Sequence, residues 1–563
     1  MPSLQESDIT SLSGPVETDL VIVGAGPVGL ALALQCRGSG RRVLVIESGA
    51  DAEDPELFDL ARGERAQPYS MLPIPTQQAR QLGGNSNLWH LHRPDGTNGV
   101  RLVELDEVDF ERRDDVGAAG WPFSKDTLRP WYAQAAERCG IVDFAQLAPP
   151  KGIETAQVTT RWAQVPLAST VFEGWVEQIR ADPDTTVLTG ATGTRVVLNA
   201  DTPNLIDAVE VTFLSGRTAT IKATDFVIAG GGYDNARFLL SQDPLAGTPL
   251  GDDTVTGRYL MDHPLDFGDY LSIAPISRNR AVFSRDFDMM QPADSPAARL
   301  AYLTLRSDYA AANGLLGMST WLYPRTKAVP IDKGPAALRF LTGRGVAPTY
   351  PGTGGRRPLD LGRAAVTMAL AWQSTAHWLS KEKLFAESTR GPGLNDPGWP
   401  AEGTPSAFRF WELVRLIEQP GRAENRVKLS DNRDRLGRRR ILIDWSWAKD
   451  DAELALRTKA ILDSAVRPFG TKLSDERLAL ARPGTGHITG CTRLHVDPRL
   501  GVADPDCLVH GTRNLYLAGS SLFPTSGWAN PTYTAIALAL RLGHHLTGKA
   551  APTRIADAGE RHG

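Results

Sequence analysis

The chain has 563 residues, and its 61 Lys and Arg against 65 Asp and Glu leave a formal net charge of −4 at pH 7. With 42% hydrophobic residues it has the composition of a globular protein that buries a large core, which excludes the disordered, collagen and coiled-coil classes. The near balance of charge leaves no basic surface of the kind that binds phosphates, so we expect no nucleic-acid partner.

Cysteine usage and apolar patterning indicate the compartment. The four cysteines form no CxxC pair and lack the spacing of metal ligands, which is typical of a reduced protein without disulfides or a metal site. The polar, acidic N-terminus lacks the pattern of a secretory signal, and the longest apolar stretch, Ala364–Trp372, is far shorter than the ~20 residues of a membrane span. We therefore expect a cytoplasmic protein without a membrane partner.

The first informative segment is TDLVIVGAGPVGLALALQCRGSGRRVLVIESGA. Its apolar runs and glycines predict a buried strand over Asp19–Val23, a turn, a helix over Leu30–Cys36 and a second strand over Arg42–Glu47. Strand, turn, helix and strand in this order form one βαβ unit, so we expect a parallel sheet in this part of the molecule.

Three glycines, Gly24, Gly26 and Gly29, occupy the turn in the pattern GxGxxG. The first permits a tight turn, the second lets a pyrophosphate approach the backbone, and the third lets helix and strand pack closely. The helix N-terminus that follows favours the phosphate charge. Glu47, at the end of the second strand, is placed to accept hydrogen bonds from an adenosine ribose. The unit predicts a dinucleotide site, for either FAD or NAD.

The middle of the chain contains two regions with different sequence patterns. A helix is predicted over Asp126–Cys139, strands over Asp184–Gly232, and another helix over Asp234–Ser241, all assigned to the nucleotide-binding part. From Leu265 to Ala481 the pattern changes to long strand candidates (DYLSIAPIS, LAYLTLRSD, RILIDWSW) and two Pro- and Gly-rich stretches at 348–359 and 390–405. This second region is interpreted as a sheet-based substrate domain with long loops.

Near the C-terminus lies the segment NLYLAGSSLFPTSGWANPTYTAIALALRLG. It predicts a strand, a turn and a helix, with Asn530 as the helix N-cap and Pro531 in the first turn. The positive dipole end of this helix can stabilise an anion that develops near it.

These segments, in this order, resemble the glucose-methanol-choline (GMC) family of FAD-dependent oxidoreductases, nearly from end to end. The matching segments are VIVGAGPVGL with Glu47, LGGNSNLWH (82–90), FVIAGGGYDNARFLL (226–240), GRYLMDHP (257–264), EQPGRAENRVKLS (418–430), GHITGCT (486–492) and AGSSLFPTSGWANPT (518–532).

The resemblance implies an α/β fold: a Rossmann-type FAD-binding domain with a parallel sheet, interleaved with a sheet-based, α+β substrate-binding domain. We assign 15–264 to the first part of the FAD-binding domain, with a flavin-contact loop at 80–95. Residues 265–481 belong mainly to the substrate-binding domain, 482–548 close the FAD-binding domain, and 549–563 form a flexible tail.

The resemblance also implies that His487 takes the proton of the substrate hydroxyl and that Asn530 holds the same hydroxyl. The chemistry agrees, because an alcohol releases hydride only as its oxygen becomes alkoxide-like, and a base with a near-neutral pKa is then needed within about 3 Å. An amide that fixes the oxygen also directs the carbinol hydrogen at the flavin. The alternatives are that His487 is an ordinary loop histidine and that Asn530 serves only as a helix cap.

Ten further positions are placed near the flavin by the resemblance: Gly83, Gly84, Asn85, Ser86, Asn87, Gly231, Gly519, Ser520, Pro531 and Thr532. The family's more usual aspartate is absent at Gly519, so backbone donors must replace it. Some pyranose oxidases bond the flavin covalently through a histidine where this chain has Leu88, so we expect non-covalent FAD. His90 and His92 are interpreted as polar loop residues, and Asp262 and His263 as structural.

Glu418 and Gln419 are the best candidates for substrate binding, because they end an apolar run that the family places near the cavity. Trp528 could stack on a sugar ring. We predict oxidation of an alcohol group of a sugar, glycoside or aminoglycoside-like small molecule to an aldehyde or ketone, with oxygen or another molecule as electron acceptor. The alternatives are a GMC oxidase of a sterol or other apolar alcohol, an NAD-dependent dehydrogenase, and a non-catalytic flavin-binding protein.

Overall fold

The computed structural model describes residues 4–10, 14–66, 77–89, 98–150, 152–166, 171–273, 295–325, 410–472, 480–482 and 485–548, with a few positions between these ranges. The two Pro- and Gly-rich stretches, the expected tail at 549–563 and His90 lie outside the described residues, and so does the side chain of His92.

The described helices are α1 (Glu6–Thr10), α2 (Pro27–Cys36), α3 (Phe58–Ala61), α4 (Glu107–Phe110), α5 (Lys125–Cys139), α6 (Val171–Arg180), α7 (Gly231–Leu240), α8 (Ser307–Ala312), α9 (Lys449–Val466) and α10 (Thr532–Thr547). The described strands are β1 (Val16–Glu17), β2 (Leu20–Val23), β3 (Val43–Glu47), β4 (Gly63–Arg65), β5 (Leu91–His92), β6 (Asn98–Gly99), β7 (Val158–Pro166), β8 (Thr185–Thr189), β9 (Ala191–Leu198), β10 (Ile206–Phe213), β11 (Thr218–Lys222), β12 (Asp225–Ile228), β13 (Leu265–Ile273), β14 (Ala297–Leu305), β15 (Met318–Arg325), β16 (Phe410–Ile417), β17 (Arg426–Arg433), β18 (Arg439–Asp444), β19 (Gly470–Lys472), β20 (Leu480–Arg482) and β21 (Leu515–Leu517).

One side of the molecule is a five-stranded parallel sheet in the order β21-β12-β2-β3-β8. Its central strand β2 is the apolar run LVIV, as expected for a strand covered on both faces. Helix α10 packs against α2 and α5 beside this sheet. The sheet confirms the predicted Rossmann-type fold. Helix α2 begins at Pro27 rather than at Leu30, because proline is compatible with the first turn of a helix.

A second sheet, with antiparallel pairing, has the order β19-β13-β16-β15-β14-β7, and β20 also pairs with β13. It confirms the sheet-based second part of the predicted fold. The candidate RILIDWSW lies instead in β18, which pairs with β17 and β4 in a separate three-stranded sheet. Strand β7 precedes residue 265 in the chain yet pairs along β14, so the interleaving is finer than a single boundary at 264.

The hydrophobic core of the parallel sheet reaches the antiparallel sheet, which also packs on a second buried cluster of its own. The cluster of buried residues that contains β2 and α2 extends to Tyr302, Trp321 and Trp528 at the antiparallel sheet. Loops at the junction of the sheets are therefore held from both sides, which is where a rigid site can be built.

None of the helices in the described ranges is long and apolar enough to cross a membrane. Over the same ranges, no group of three or more His, Cys, Asp or Glu side chains is placed to hold a metal ion. The four cysteines are buried free thiols. Burial raises the pKa of the Cys139 and Cys507 thiols to about 12, so these two side chains stay protonated near neutral pH.

Candidate active site

The GxGxxG turn between β2 and α2 brings bare backbone to the carboxyl end of the parallel sheet. Gly24 has φ +112°, and a Cβ built there would lie 2.5 Å from the carbonyl oxygen of Ala229. A Cβ on Gly29 would collide with the carbonyl oxygen of Gly24. Both positions therefore require glycine, one for the turn and one for the close packing of α2 on the sheet.

Gly26, the N-cap of α2, faces a second glycine loop. The N–H of Gly83 donates to the carbonyl oxygen of Ala25 at 2.9 Å, and a Cβ on Gly84 would lie 2.8 Å from the Cα of Gly26. This contact joins the predicted flavin loop to the nucleotide turn. Because the first amides of a helix have no partner within the helix, α2 offers N–H groups to an anion at this surface.

The polar side chains of the flavin loop are engaged within the loop. Asn85 bonds to the backbone of residues 77 and 79 at 2.8 and 2.9 Å, and Ser86 bonds to that of residue 83 at 2.8 Å. Asn87 donates to the backbone of residues 82 and 84 at 3.0 and 2.9 Å. These bonds hold the loop in shape, and contact of the three side chains with a flavin stays a prediction.

Glu47 ties the nucleotide turn to the end of β3. Its Oε2 accepts from the N–H of Ala25 at 2.9 Å, and its Oε1 accepts from the N–H of Gly49 at 3.0 Å. Burial raises the pKa of this carboxyl, and the two amides act in the opposite direction. Glu47 thus stabilises the turn itself, besides any bond that it makes to a ribose.

Asn235, a buried residue that sequence reasoning missed, joins two distant segments. Its Oδ1 accepts from Gly230 at 2.8 Å, and its Nδ2 donates to the carbonyl oxygen of Ala518 and to Ser521 Oγ, both at 2.9 Å. The two turns that it connects carry three of the predicted cofactor positions: Gly231, Gly519 and Ser520. The only sequence signal was its place inside FVIAGGGYDNARFLL.

His487 and Asn530 come together at the junction of the two sheets. Asn530 Nδ2 lies 3.0 Å from His487 Nε2. The prediction that Asn530 caps the last helix is wrong: Pro531 is the N-cap of α10, which begins at Thr532, and no side chain caps that helix end. The Asn530 amide is therefore not used by the helix, and its Oδ1 is buried without a hydrogen-bond partner in the described part of the chain.

A buried carboxylate shapes the backbone that carries His487. Asp262 accepts from the backbone N–H groups of Thr485, Gly486 and His487 at 3.2, 3.1 and 2.9 Å, and from that of His263 at 2.7 Å. Burial raises the pKa of this carboxyl, and the four N–H bonds lower it. Asp262 therefore fixes the main chain of both segments, the one with His263 and the one with His487.

His263 lies opposite His487. An antiparallel bridge between Met261 and Thr489, with both N–H···O distances at 3.0 Å, puts positions 263 and 487 in register. The Nδ1 atoms of the two rings are 3.0 Å apart. Sequence reasoning treated His263 as structural only, and its contact with His487 depends on a pairing between segments more than 200 residues apart.

Burial controls the charge on both rings. The pKa of His487 lies well below its usual 6.5, first because of burial and then because of the neighbouring His263 and Arg101. Burial also lowers the pKa of His263 to about 4. Both rings are therefore neutral at neutral pH, and the expectation of a near-neutral pKa for the base is corrected downward. A neutral imidazole has a free lone pair with which to accept a proton.

Two of the predicted substrate residues belong to the protein interior. Glu418 is 1% exposed, forms an ion pair with Arg113 and accepts from the N–H of Gly317 at 2.6 Å. Trp528 is 2% exposed and packs edge-on against Tyr302, with ring centroids 4.7 Å apart. Both side chains are engaged by protein groups, and their contact with a substrate stays a prediction.

Gln419 is as deeply buried, with 1% of its surface exposed. Its Oε1 accepts from the N–H of Asp262 and from Trp445 Nε1, both at 3.0 Å. Its Nε2 is buried and has no acceptor among the described residues. Gln419 therefore helps to fix the Asp262 segment and keeps one donor for a further partner.

The residues fit a flavin dinucleotide at both ends. At the nucleotide end, Gly84 packs so closely on Gly26 that a side chain on Gly84 would collide with it. The surface beside the first amides of α2 is therefore formed by backbone, which suits a phosphate group. At the reacting end, Asn530 Oδ1 is buried and, within the described ranges, unpaired. Buried polar atoms rarely stay unpaired, so a bound group is expected there.

Comparison with known proteins finds its matches in one family, over part of the chain. Residues 421–539 match the family model of the GMC oxidoreductases, and this range contains both His487 and Asn530. A C-glycoside 3-oxidase of Microbacterium trichothecenolyticum is 29% identical over 126 residues, which are 22% of this chain and 24% of the relative. A pyranose 2-oxidase of Tricholoma matsutake is 44% identical over 55 residues, 10% of each chain.

The fold likeness extends over nearly the whole molecule. The crystal structure of pyridoxine 4-oxidase from Mesorbium loti is matched over 95% of this chain and 100% of its own, with a TM-score of 0.51 and 16% identity. The chain spans about a quarter or less of the length of the two curated relatives, at 24% and 10%. The C-terminal region is thus similar to the GMC oxidoreductases, a family of FAD-dependent enzymes, and the fold of nearly the whole chain is similar to that of the solved oxidase structure.

Proposed function

We propose that the protein oxidises a hydroxyl group of a sugar or glycoside to a carbonyl group, with non-covalently bound FAD. Bound FAD supplies the acceptor for the carbinol hydrogen and its two electrons. The observation that carries the proposal is the 3.0 Å contact between His487 Nε2 and Asn530 Nδ2 on a ring that burial keeps neutral. The absence of a histidine at Leu88 supports the non-covalent mode.

In this proposal His487 Nε2 is the general base. As the carbinol hydrogen departs, the hydroxyl oxygen becomes alkoxide-like, and its proton passes to the lone pair of Nε2. The low pKa of the ring keeps Nε2 unprotonated at neutral pH, and its lone pair becomes available when the substrate hydroxyl replaces Asn530 Nδ2 as its hydrogen-bond partner. Asp262 holds the backbone of His487 at 2.9 Å, so the base needs no rearrangement before it acts.

Asn530 orients the same hydroxyl. Its Nδ2 contacts the base, and its unpaired Oδ1 is available to accept the hydroxyl hydrogen before transfer. The contact with His487 Nε2 at 3.0 Å holds the Asn530 side chain in place. Two groups that grip one oxygen leave the carbinol carbon a single orientation.

The substrate class is proposed from the relatives and from the polar groups at the site. Two relatives carry the names C-glycoside 3-oxidase and pyranose 2-oxidase. The free donor of Gln419 and the unpaired oxygen of Asn530 suit a substrate with several hydroxyl groups better than a sterol. Oxygen is the proposed electron acceptor, since these relatives are named oxidases.

The test is anaerobic reduction of the bound flavin by a panel of sugars, glycosides and sterols. The rate is measured as the loss of flavin absorbance. Wild-type protein is expected to be bleached by a polyhydroxylated substrate, and His487→Ala to react about 10²- to 10⁴-fold more slowly. His545→Ala, an exposed histidine in the last turn of α10, serves as the matched control with unchanged rate. Unchanged bleaching in His487→Ala would refute the proposed base.

A further inference from the structure

The two facing histidine rings share a single hydrogen. Their Nδ1 atoms are 3.0 Å apart, which is a hydrogen-bond distance. Two unprotonated nitrogens would repel each other at this separation, and so would two N–H groups. One Nδ1 therefore donates and the other accepts, and the question is which ring is the donor.

The neighbouring amide decides the direction. Asn530 Nδ2 is a donor without acceptor capacity, and it lies 3.0 Å from His487 Nε2. With the amide in this orientation, Nε2 accepts. Because a neutral imidazole carries its hydrogen on one nitrogen only, the hydrogen of His487 is on Nδ1. It points at Nδ1 of His263, whose own hydrogen is then on Nε2, a buried nitrogen that has no hydrogen-bond partner among the described residues.

We propose that His263 is a positioning residue that fixes the tautomer of His487, with the Nδ1–H of His487 donated to Nδ1 of His263 and Nε2 left as the base. This inference rests on the proposed function of His487 and assigns His263 a role beyond structural support. His263 acts through its neighbour and does not itself touch the substrate.

The surroundings of His263 suit an obligate acceptor. It is fully buried, so burial keeps its ring neutral and its Nδ1 lone pair free. Its backbone N–H donates to Asp262 at 2.7 Å, and the Met261–Thr489 bridge holds the two rings opposite each other. A rigid partner on one ring nitrogen commits the other nitrogen to its task, as partners of histidine do in many sites.

The first experiment compares His263→Leu with His263→Asn in the FAD-loaded enzyme. Leucine removes the acceptor, whereas asparagine places an amide oxygen at the same distance along the side chain as Nδ1. We expect His263→Leu to slow flavin reduction about 10- to 100-fold with little change in substrate affinity, and His263→Asn to recover most of that loss. Equal rates in the two variants, at equal flavin content and melting temperature, would overturn the proposal.

The second experiment does not depend on activity or on a variant of a buried residue. Nitrogen-15 NMR of the histidine-labelled wild-type protein, with the His487 signal assigned by its loss in His487→Ala, reports which ring nitrogen carries hydrogen. Hydrogen on Nδ1 supports the proposal. Hydrogen on Nε2 would overturn it, because the Asn530 amide would then present Oδ1 to the ring and His263 would be the donor.

The two proposals fail separately. Unchanged flavin reduction in His487→Ala removes the base and with it the proposed function. Slow reduction in His487→Ala together with wild-type reduction in His263→Leu leaves the base in place and removes only the role of His263.

Discussion

The nucleotide end and the reacting end of this site are built in different ways. The nucleotide end consists mainly of backbone, where Gly24 permits the tight turn, Gly29 permits close packing and α2 offers its amides. The reacting end consists of side chains held by other side chains: His487 is held between Asn530 and His263. A backbone site follows from one short segment, whereas a side-chain site requires segments far apart in the chain to meet.

The largest effect on stability is expected from breaking the buried ion pair between Arg113 and Glu418. Arg113→Met leaves the carboxylate of Glu418 in the interior without its partner, so unfolding free energy should fall by about 3 to 5 kcal/mol. The double variant Arg113→Met/Glu418→Leu removes both charges and should be less destabilised. Denaturant unfolding of both variants provides the measurement, and a double variant less stable than the single one would contradict this account.

At the nucleotide end, Gly29→Ala should cost about 3 kcal/mol and lower the flavin content of the purified protein. Its Cβ would collide with the carbonyl oxygen of Gly24, so the turn itself must move. The control is Gly174→Ala within α6, where a Cβ meets nothing within 4 Å. That variant should gain up to about 1 kcal/mol because alanine favours helix. Flavin absorbance per protein and melting temperature test both, and normal flavin content in Gly29→Ala would contradict the assignment.

Asp262→Asn combines both kinds of construction, because the Asp262 side chain at the reacting end binds backbone N–H groups. An amide has one acceptor oxygen, so some of the N–H groups of Thr485, Gly486 and His487 lose their partner, at a cost of about 2 kcal/mol. Flavin reduction should slow as the base loses its fixed position, while FAD binding stays unchanged. A fall in FAD affinity without slower flavin reduction would contradict this role, because it would show that Asp262 serves cofactor binding and not the position of His487.

The smallest effect is expected from pH. Because the pKa of His487 lies below 6.5, its ring is already unprotonated at pH 6.5, and raising the pH to roughly 8 releases no further proton from it. The limiting rate of flavin reduction should therefore be flat over this range and fall only at lower pH, where the ring becomes protonated. A rate that rises steeply between pH 6.5 and 8 would show that burial does not control this base.

The sequence predicted the backbone end well and the side-chain end only in part. The βαβ unit and its parallel sheet are confirmed, because apolar runs and glycines act locally. The positions of His487 and Asn530 came from resemblance, and their roles stay predictions. Asn530 was misplaced as a helix cap because Pro531 takes that position itself, with φ −72° and ψ −16°.

What the sequence did not predict were partners set by tertiary packing. Nothing near Glu418 in the chain indicates its ion pair with Arg113, 305 residues away. The contact of His263 with His487 depends on one bridge between two loops. Asn235 likewise gained its role only when the turns before α7 and after β21 came together.

The edge strand β21 has a consequence for biosynthesis. It pairs with β12 and is followed directly by the loop with Asn530 and by α10, so the last part of the described chain completes a sheet begun near residue 20. While the ribosome still holds this segment, the emerging polypeptide lacks one wall of its cofactor cleft. Stable incorporation of the prosthetic group should therefore follow emergence of β21 and α10, and a variant without α10 should be colourless.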